Sequence, residues 1–292
     1  MKLFVNDLTI MDFSYLCPKR GMVGESWIVD IVLDGGLNEE SMIQDFGIVK
    51  KQLKGLIDEY VDHKLVVPAE YSGSKIENSG ADGRVNVYFQ YAEDKSIYLC
   101  CPPEAYAFVY ADKIDMQSVI SYLKDIIATH LPENVHGIDI LLREELINSP
   151  YYHYTHGLKK HEGNCQRIAH GHRSKIMIFR NHERDTLLEQ QWAERWRDIY
   201  IGTTEDLVGA DQLLKRGALI SDNTHLCFQY ESSQGRFELA MPKSACDLIE
   251  YDSTVECIAQ HVYEVLKHEN PDNIQVCAFE GVGKGAIVSD NE

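Results

Sequence analysis

The stretch Val85-Asn-Val-Tyr-Phe89-Gln90-Tyr91-Ala92 decides how this chain is to be read, because its centre recurs as Phe228-Gln229-Tyr230, 139 residues on. The same offset carries Pro103 to Pro242 and Pro132-Glu-Asn134 to Pro271-Asp-Asn273. Between these anchors Val119, Ile120, Leu123 and Ile127 match Ile258, Ala259, Val262 and Leu266. Self-similarity at a fixed spacing marks a repeated structural unit. The 292 residues are therefore expected to form two homologous units, 1–149 and 150–292.

Working outward, each unit reads in one order. Two strands come first, over 3–16 and 26–33, matched by 151–158 and 172–180. A helix follows, on which Ile43, Phe46, Val49, Leu53, Leu56, Ile57 and Tyr60 recur at helical spacing. Its counterpart is the Trp-bearing segment 186–200. A hairpin comes next, 85–92 with 96–101, and 225–231 with 236–241. A second helix (115–130; 253–268) and a closing strand (137–143; 274–280) complete each unit. The Ser-, Gly- and Asn-rich segment 70–84 reads as a mobile loop, and the last residues as a fraying end.

Composition narrows the function. The formal net charge of −18 opposes nonspecific binding to nucleic acid or to an anionic membrane, both of which need a positive field. No apolar run is long enough to span a bilayer, and Met-Lys-Leu-Phe-Val-Asn-Asp7 lacks the pattern of a signal peptide. Eight Cys without regular spacing favour free thiols. A cytoplasmic protein acting on a small molecule is the expectation.

The units have diverged in a complementary way. In the second, His170-Gly171-His172 opens a strand, where side chains two apart share a face. Two imidazoles there can grip one cation, with His156 as third ligand or His153, His161 or His182 in its place. Three nitrogens with one open position is the pattern of a catalytic zinc. Cys165 lies between, as a base or nucleophile. The first unit has Val23-Gly24-Glu25 at the matching place and keeps only the glycine. It carries instead Asp62-His63 after its first helix, a carboxylate that can orient an imidazole. A site composed from both units accounts for both losses.

Together these motifs resemble the 6-pyruvoyl-tetrahydropterin synthase and 6-carboxy-tetrahydropterin synthase family. The carriers are His156, Cys165 and His170-Gly171-His172; Asp45-Phe46 opening a helix that ends at Asp62-His63; Ser253-Thr254-Val-Glu256 opening another; and a strand ending at Glu280, with Glu144 in the other unit. The resemblance implies an α+β tunnelling fold, an antiparallel sheet with two helices on one face, whose units close into an antiparallel barrel in a homo-oligomer. It implies zinc on His156, His170 and His172, catalysis by Cys165, Asp62 and His63, and substrate contacts from Glu280, Glu144 and Thr254. The implied reaction is a carbon–oxygen lyase step on 7,8-dihydroneopterin triphosphate. A side-chain aldolase and a decayed pterin-binding scaffold are the alternatives. If the substrate carries phosphates, Lys159, Lys160, Arg167, Arg173 and Lys175 flank the motif as candidate cations.

Overall fold

The computed structural model describes every residue except 81, 93, 216–218, 270 and 291–292. It is a mixed α and β protein with four helices. In the first half the chain forms β1 (Lys2–Cys17), β2 (Gly21–Gly35), α1 (Phe46–Tyr60), β3 (Leu65–Pro68), β4 (Ser74–Asn78), β5 (Val85–Tyr91), β6 (Lys95–Cys101), β7 (Tyr106–Val109), α2 (Met116–Ala128) and β8 (Val135–Glu144). In the second half it forms β9 (Tyr151–His156), β10 (His170–Arg180), β11 (Glu183–Arg184), α3 (Thr186–Arg195), β12 (Ile199–Thr203), β13 (Leu207–Val208), β14 (His225–Ser232), β15 (Gly235–Pro242), β16 (Cys246–Ile249), α4 (Val255–Glu269), β17 (Ile274–Phe279) and β18 (Gly285–Ser289). Among the described residues no helix is long and apolar enough to cross a membrane.

Each half builds one sheet, ordered β7-β3-β1-β2-β8 in the first and β16-β12-β9-β10-β17-β18 in the second, where β11 also pairs with β10. The helices cover one face of each. Val49, Leu53 and Ile57 of α1 and Val119, Leu123 and Ile127 of α2 share a core with Val29 and Ile31. Trp192 and Trp196 share another with Ile176, Ile178, Ile258 and Val262. Asp45 caps α1, its carboxylate accepting from the backbone N–H of Gly47 at 2.8 Å.

The hairpins do not sit with either sheet. They join each other in a third sheet, ordered β13-β14-β15-β6-β5-β4. The seam is the antiparallel pairing of β15 with β6, which sets Leu239 opposite Leu99. Under it lies an apolar core drawn from both halves, with Phe89, Leu99, Phe228 and Leu239 beside Ile168 and Ala169.

Three expectations need correction. The sheets are mixed, because β3 runs parallel to β1 and β7, and β12 parallel to β9 and β16. These four strands are short apolar runs such as Leu65-Val66-Val67, too brief to show an alternating period. The segment 70–84 is not wholly a loop, since β4 pairs with β5 along its length; residue 81 lies outside the described residues. The C-terminal segment does not fray as a whole, since β18 pairs with β17 from Gln275–Ser289 to Phe279–Gly285; residues 291–292 lie outside the described residues. β4, Ser-Lys-Ile-Glu-Asn, is a polar edge strand that gains stability from a neighbour's backbone rather than from its own hydrophobic pattern.

Candidate functional site

The two main sheets meet where β2 crosses β10. Gly24 lies opposite Ser14 in the β1–β2 register, and Gly171 opposite Thr155 in the β9–β10 register. The Ser14 and Thr155 hydroxyls hydrogen-bond across the junction at 2.8 Å. A Cβ on Gly24 would stand 1.9 Å from the Tyr154 carbonyl oxygen, and one on Gly171 would stand 2.6 Å from Gly24 Cα. The glycine common to both motifs is thus required by backbone approach. The arrangement has a local two-fold character, in which Ser14 corresponds to Thr155, Asp12 to His153 and Glu25 to His172.

The strand pairing that places Gly171 also places the histidines. His156 is the cross-strand partner of His170. His156, His170 and His172 are 0%, 0% and 1% exposed. One ring nitrogen from each lies within 4.8 Å of the others. His156 Nδ1 donates to the Ser253 carbonyl at 2.8 Å, and His170 Nδ1 to the Arg167 carbonyl at 3.1 Å. Those bonds fix the tautomer and leave each Nε2 as a bare lone pair. Neither Nε2 has a hydrogen-bond partner among the described residues, nor does Nε2 of His172, whose Nδ1 stands 3.2 Å from the Asp12 carboxylate. Buried polar atoms without partners are costly. Burial, and then the neighbouring imidazoles, hold His156 and His170 well below the usual histidine pKa, so both are neutral and ready to ligate. A metal-binding histidine commonly gives its second N–H to a carbonyl or carboxylate. The donor set therefore fits a metal ion. The other histidines considered stand elsewhere: His153 on the far side of the junction against Gly24, and His161 and His182 exposed.

The first half supplies the facing wall. Asp62 and His63 follow α1 and are pinned to β1 twice, by Asp12 N–H to Asp62 Oδ1 at 2.8 Å and His63 N–H to the Asp12 carbonyl at 2.7 Å. His63 takes φ +54°, a strained backbone that this double anchor holds. Its Nδ1 donates to Asp62 Oδ2 at 2.6 Å. Cys165 sits on a short turn, Asn164–Gln166, and its Sγ lies within 4.8 Å of ring nitrogens of His63 and His170. Burial lowers the His63 pKa, but hydrogen bonds to Asp62 and Cys165 outweigh it and push it up to about 10. His63, Cys165 and His170 could in geometry also hold an ion. A His63 bound to Asp62 and favouring its cation is the poorer ligand, and His156, His170 and His172, each with Nε2 free, are the better seat.

The second-half hairpin steadies the Cys165 turn. The Tyr230 hydroxyl donates to the Gln166 carbonyl at 2.6 Å, and the Gln234 side chain donates to the Gly163 carbonyl at 3.1 Å. The enlarged hairpin thus holds the loop that carries the thiol.

The carboxylates separate. Glu280 Oε1 is 3.8 Å from His172 Nε2, and Glu280 Oε2 is 3.6 Å from Lys284 Nζ. Glu144, its counterpart in the first half, is half-exposed beside Arg173 at 3.5 Å, away from the triad. Thr254 caps α4, its hydroxyl accepting from Cys257 N–H at 3.3 Å, while its neighbour Ser253 meets His156. Of the flanking cations, Lys159 pairs with Asp206, Lys160 with Asp252, Arg173 with Glu144 and Lys175 with Glu145. Arg167 alone has no carboxylate within 4.0 Å among the described residues; it is 7% exposed and reaches the Asp62 and His63 carbonyls.

Sequence reasoning missed Asp12 and Lys284, and named Ser253 only within the helix-opening motif. Asp12 Oδ1 stands 3.2 Å from His172 Nδ1, and Lys284 Nζ 3.4 Å from Asp12 Oδ2. Burial would raise the Asp12 pKa, yet His172 and Lys284 bring it well below the carboxylate range. An Asp within a strand carries no positional signal.

No family model matches the chain, and no curated protein matches it. Among solved structures it is similar to the 6-pyruvoyltetrahydropterin synthase of Plasmodium vivax, at 12% identity and a TM-score of 0.40, over 51% of this chain and 93% of that one. It is also similar to the 6-pyruvoyltetrahydropterin synthase of Plasmodium falciparum, at 14% identity and a TM-score of 0.40, over 49% of this chain and 90% of that one.

Proposed function

We propose that this protein is a zinc-dependent carbon–oxygen lyase of the 6-pyruvoyl- or 6-carboxy-tetrahydropterin synthase type, acting on 7,8-dihydroneopterin triphosphate. One observation carries the reading: Cys165 of one half faces the Asp62–His63 pair of the other beside three buried histidines with free lone pairs. The motif resemblance supplies the substrate class.

Zinc on His156, His170 and His172 would act as a Lewis acid toward the substrate's side-chain oxygens and acidify the adjoining carbon. Cys165 takes the proton from that carbon. His63, oriented by Asp62, stabilises the thiolate and carries the proton onward. Glu280 accepts from the amino and ring N–H groups of the pterin, a planar two-point match. Buried Arg167 is the cation left for an anionic tail. Glu144 and Thr254 have no part in this scheme.

The same reading has several chains closing a barrel. The two main sheets end on β7 and β8, and on β16 and β18, and such edges invite pairing. Light scattering that returns a monomer at micromolar concentration would remove this part alone.

The deciding experiment is metal analysis followed by incubation with 7,8-dihydroneopterin triphosphate and mass analysis. Release of triphosphate supports the lyase. A two-carbon fragment that leaves with the triphosphate still attached shows the aldolase, and unchanged ligand shows a binding protein.

A further inference from the structure

The local two-fold that builds the site also generates a twin on the other side of the junction. Strand register names its members. Glu25 stands for His172, His153 for Asp12, Tyr15 for His156 and Val23 for His170. Leu65 pairs with Ser14 and Tyr200 with Thr155, so Asp198 stands for His63 and Arg197 for Asp62. The backbone agrees: His63 has φ +54° and Asp198 φ +55°.

This twin keeps none of the three histidine ligands yet has not filled in. A cleft of about 490 Å³ opens there, with Arg20, Tyr151, His153, Gln190, Arg197 and Asp198 in its walls. That volume is in the range of small-molecule sites. Arg20 grips Asp198 through two bonds, Nε to Oδ2 at 2.9 Å and Nη2 to Oδ1 at 2.5 Å, which fixes its position. His153 Nδ1 donates to the Gly24 carbonyl at 2.7 Å, so its Nε2 is an acceptor. Tyr151 is 41% exposed, with the Arg173 guanidinium 4.2 Å from its ring centre. Glu194 also borders the cleft, and its carboxylate accepts from the Gln190 amide at 3.2 Å. Arg197 is exposed and has no carboxylate within 4.0 Å among the described residues. In a chain of net charge −18, an unpaired arginine at the mouth of a cleft is a specific feature.

We propose that this cleft is a second, non-catalytic binding site for a small planar ligand that carries a phosphate group. Tyr151 offers a stacking face, His153 accepts a ring N–H, and Arg197 with the outer edge of Arg20 takes the phosphate.

The test is titration calorimetry of the full chain with adenosine monophosphate and guanosine monophosphate, against inorganic phosphate and adenosine alone. At least one nucleotide is expected to bind more tightly than either part. Arg197→Ala and Tyr151→Ala are each expected to weaken it about tenfold, while His170→Ala, which disables the other site, leaves it unchanged. Absence of nucleotide binding to the unaltered protein overturns the proposal, as does binding that both cleft variants leave intact. Binding lost in His170→Ala would assign the ligand to the histidine site; that also overturns the proposal and leaves the lyase reading untouched.

Discussion

Two places in this molecule share one strand framework and hold opposite chemistry. On one side of the junction, His172 leans on Asp12; on the other, Glu25 stands 3.8 Å from His153. The acid and the imidazole have exchanged strands. On the first side the imidazole lone pairs converge and remain unsatisfied. On the second side every counterpart of a ligand is a tyrosine, a valine or a carboxylic acid. The backbone positions are the same, so side-chain chemistry alone decides that one side suits a metal ion and the other does not.

The comparison can be broken most severely at His170. His170→Ala is expected to abolish metal occupancy and turnover together, read by metal analysis and product formation; a variant that keeps its metal would sink the assignment of the triad. Cys165→Ala comes next. It should retain the metal while turnover falls by about 10²–10⁴, the usual worth of a placed acid or base. Unchanged turnover would reduce Cys165 to a packing residue. Asp12→Asn tests the partner of His172, and a loss of about 10–100-fold in metal affinity is expected. Equal affinity would show that Asp12 only closes the junction.

Two stability measurements probe the junction itself. Gly24→Ala should cost about 3 kcal/mol, from the forced contact with the Tyr154 carbonyl. Gly137→Ala has open space around its Cβ and serves as the control. Equal denaturation midpoints for the two would refute the close approach. The smallest effect concerns Glu25. Burial pushes its carboxyl from 4.5 up to about 8. A folded pKa above the unfolded one favours the fold at low pH, and the benefit is lost as pH rises from 4.5 through 8. Glu25→Gln cannot ionise, so it should match the parent's stability near pH 4 and exceed it at pH 9. A constant difference across that range would mean that Glu25 ionises freely in the fold.

Much of the fold was legible because long elements carry strong periods. The pattern of Val49, Leu53 and Ile57 marked α1, and alternation marked β5, β6, β14 and β15. Leu65-Val66-Val67 and Ile199-Tyr-Ile201 escaped because a few apolar residues in a row look alike in any buried element. Within the site, residue types with special chemistry stood out. Asp12 and Lys284 did not, because acids and lysines are common on surfaces and only a neighbour from another strand gives them a role.

The sequence by itself determined that the chain repeats a unit, and that imidazoles and a thiol lie in one copy while an Asp-His pair lies in the other. Those are facts of spacing and residue type, and they survive without coordinates. Only the tertiary structure decided that Asp62 and His63 meet Cys165 within a single chain, that Glu280 rather than Glu144 stands beside the triad, and that a cleft persists on the opposite side. Each depends on how two sheets cross at Gly24 and Gly171, and backbone approach at one glycine leaves no trace in the residues it brings together.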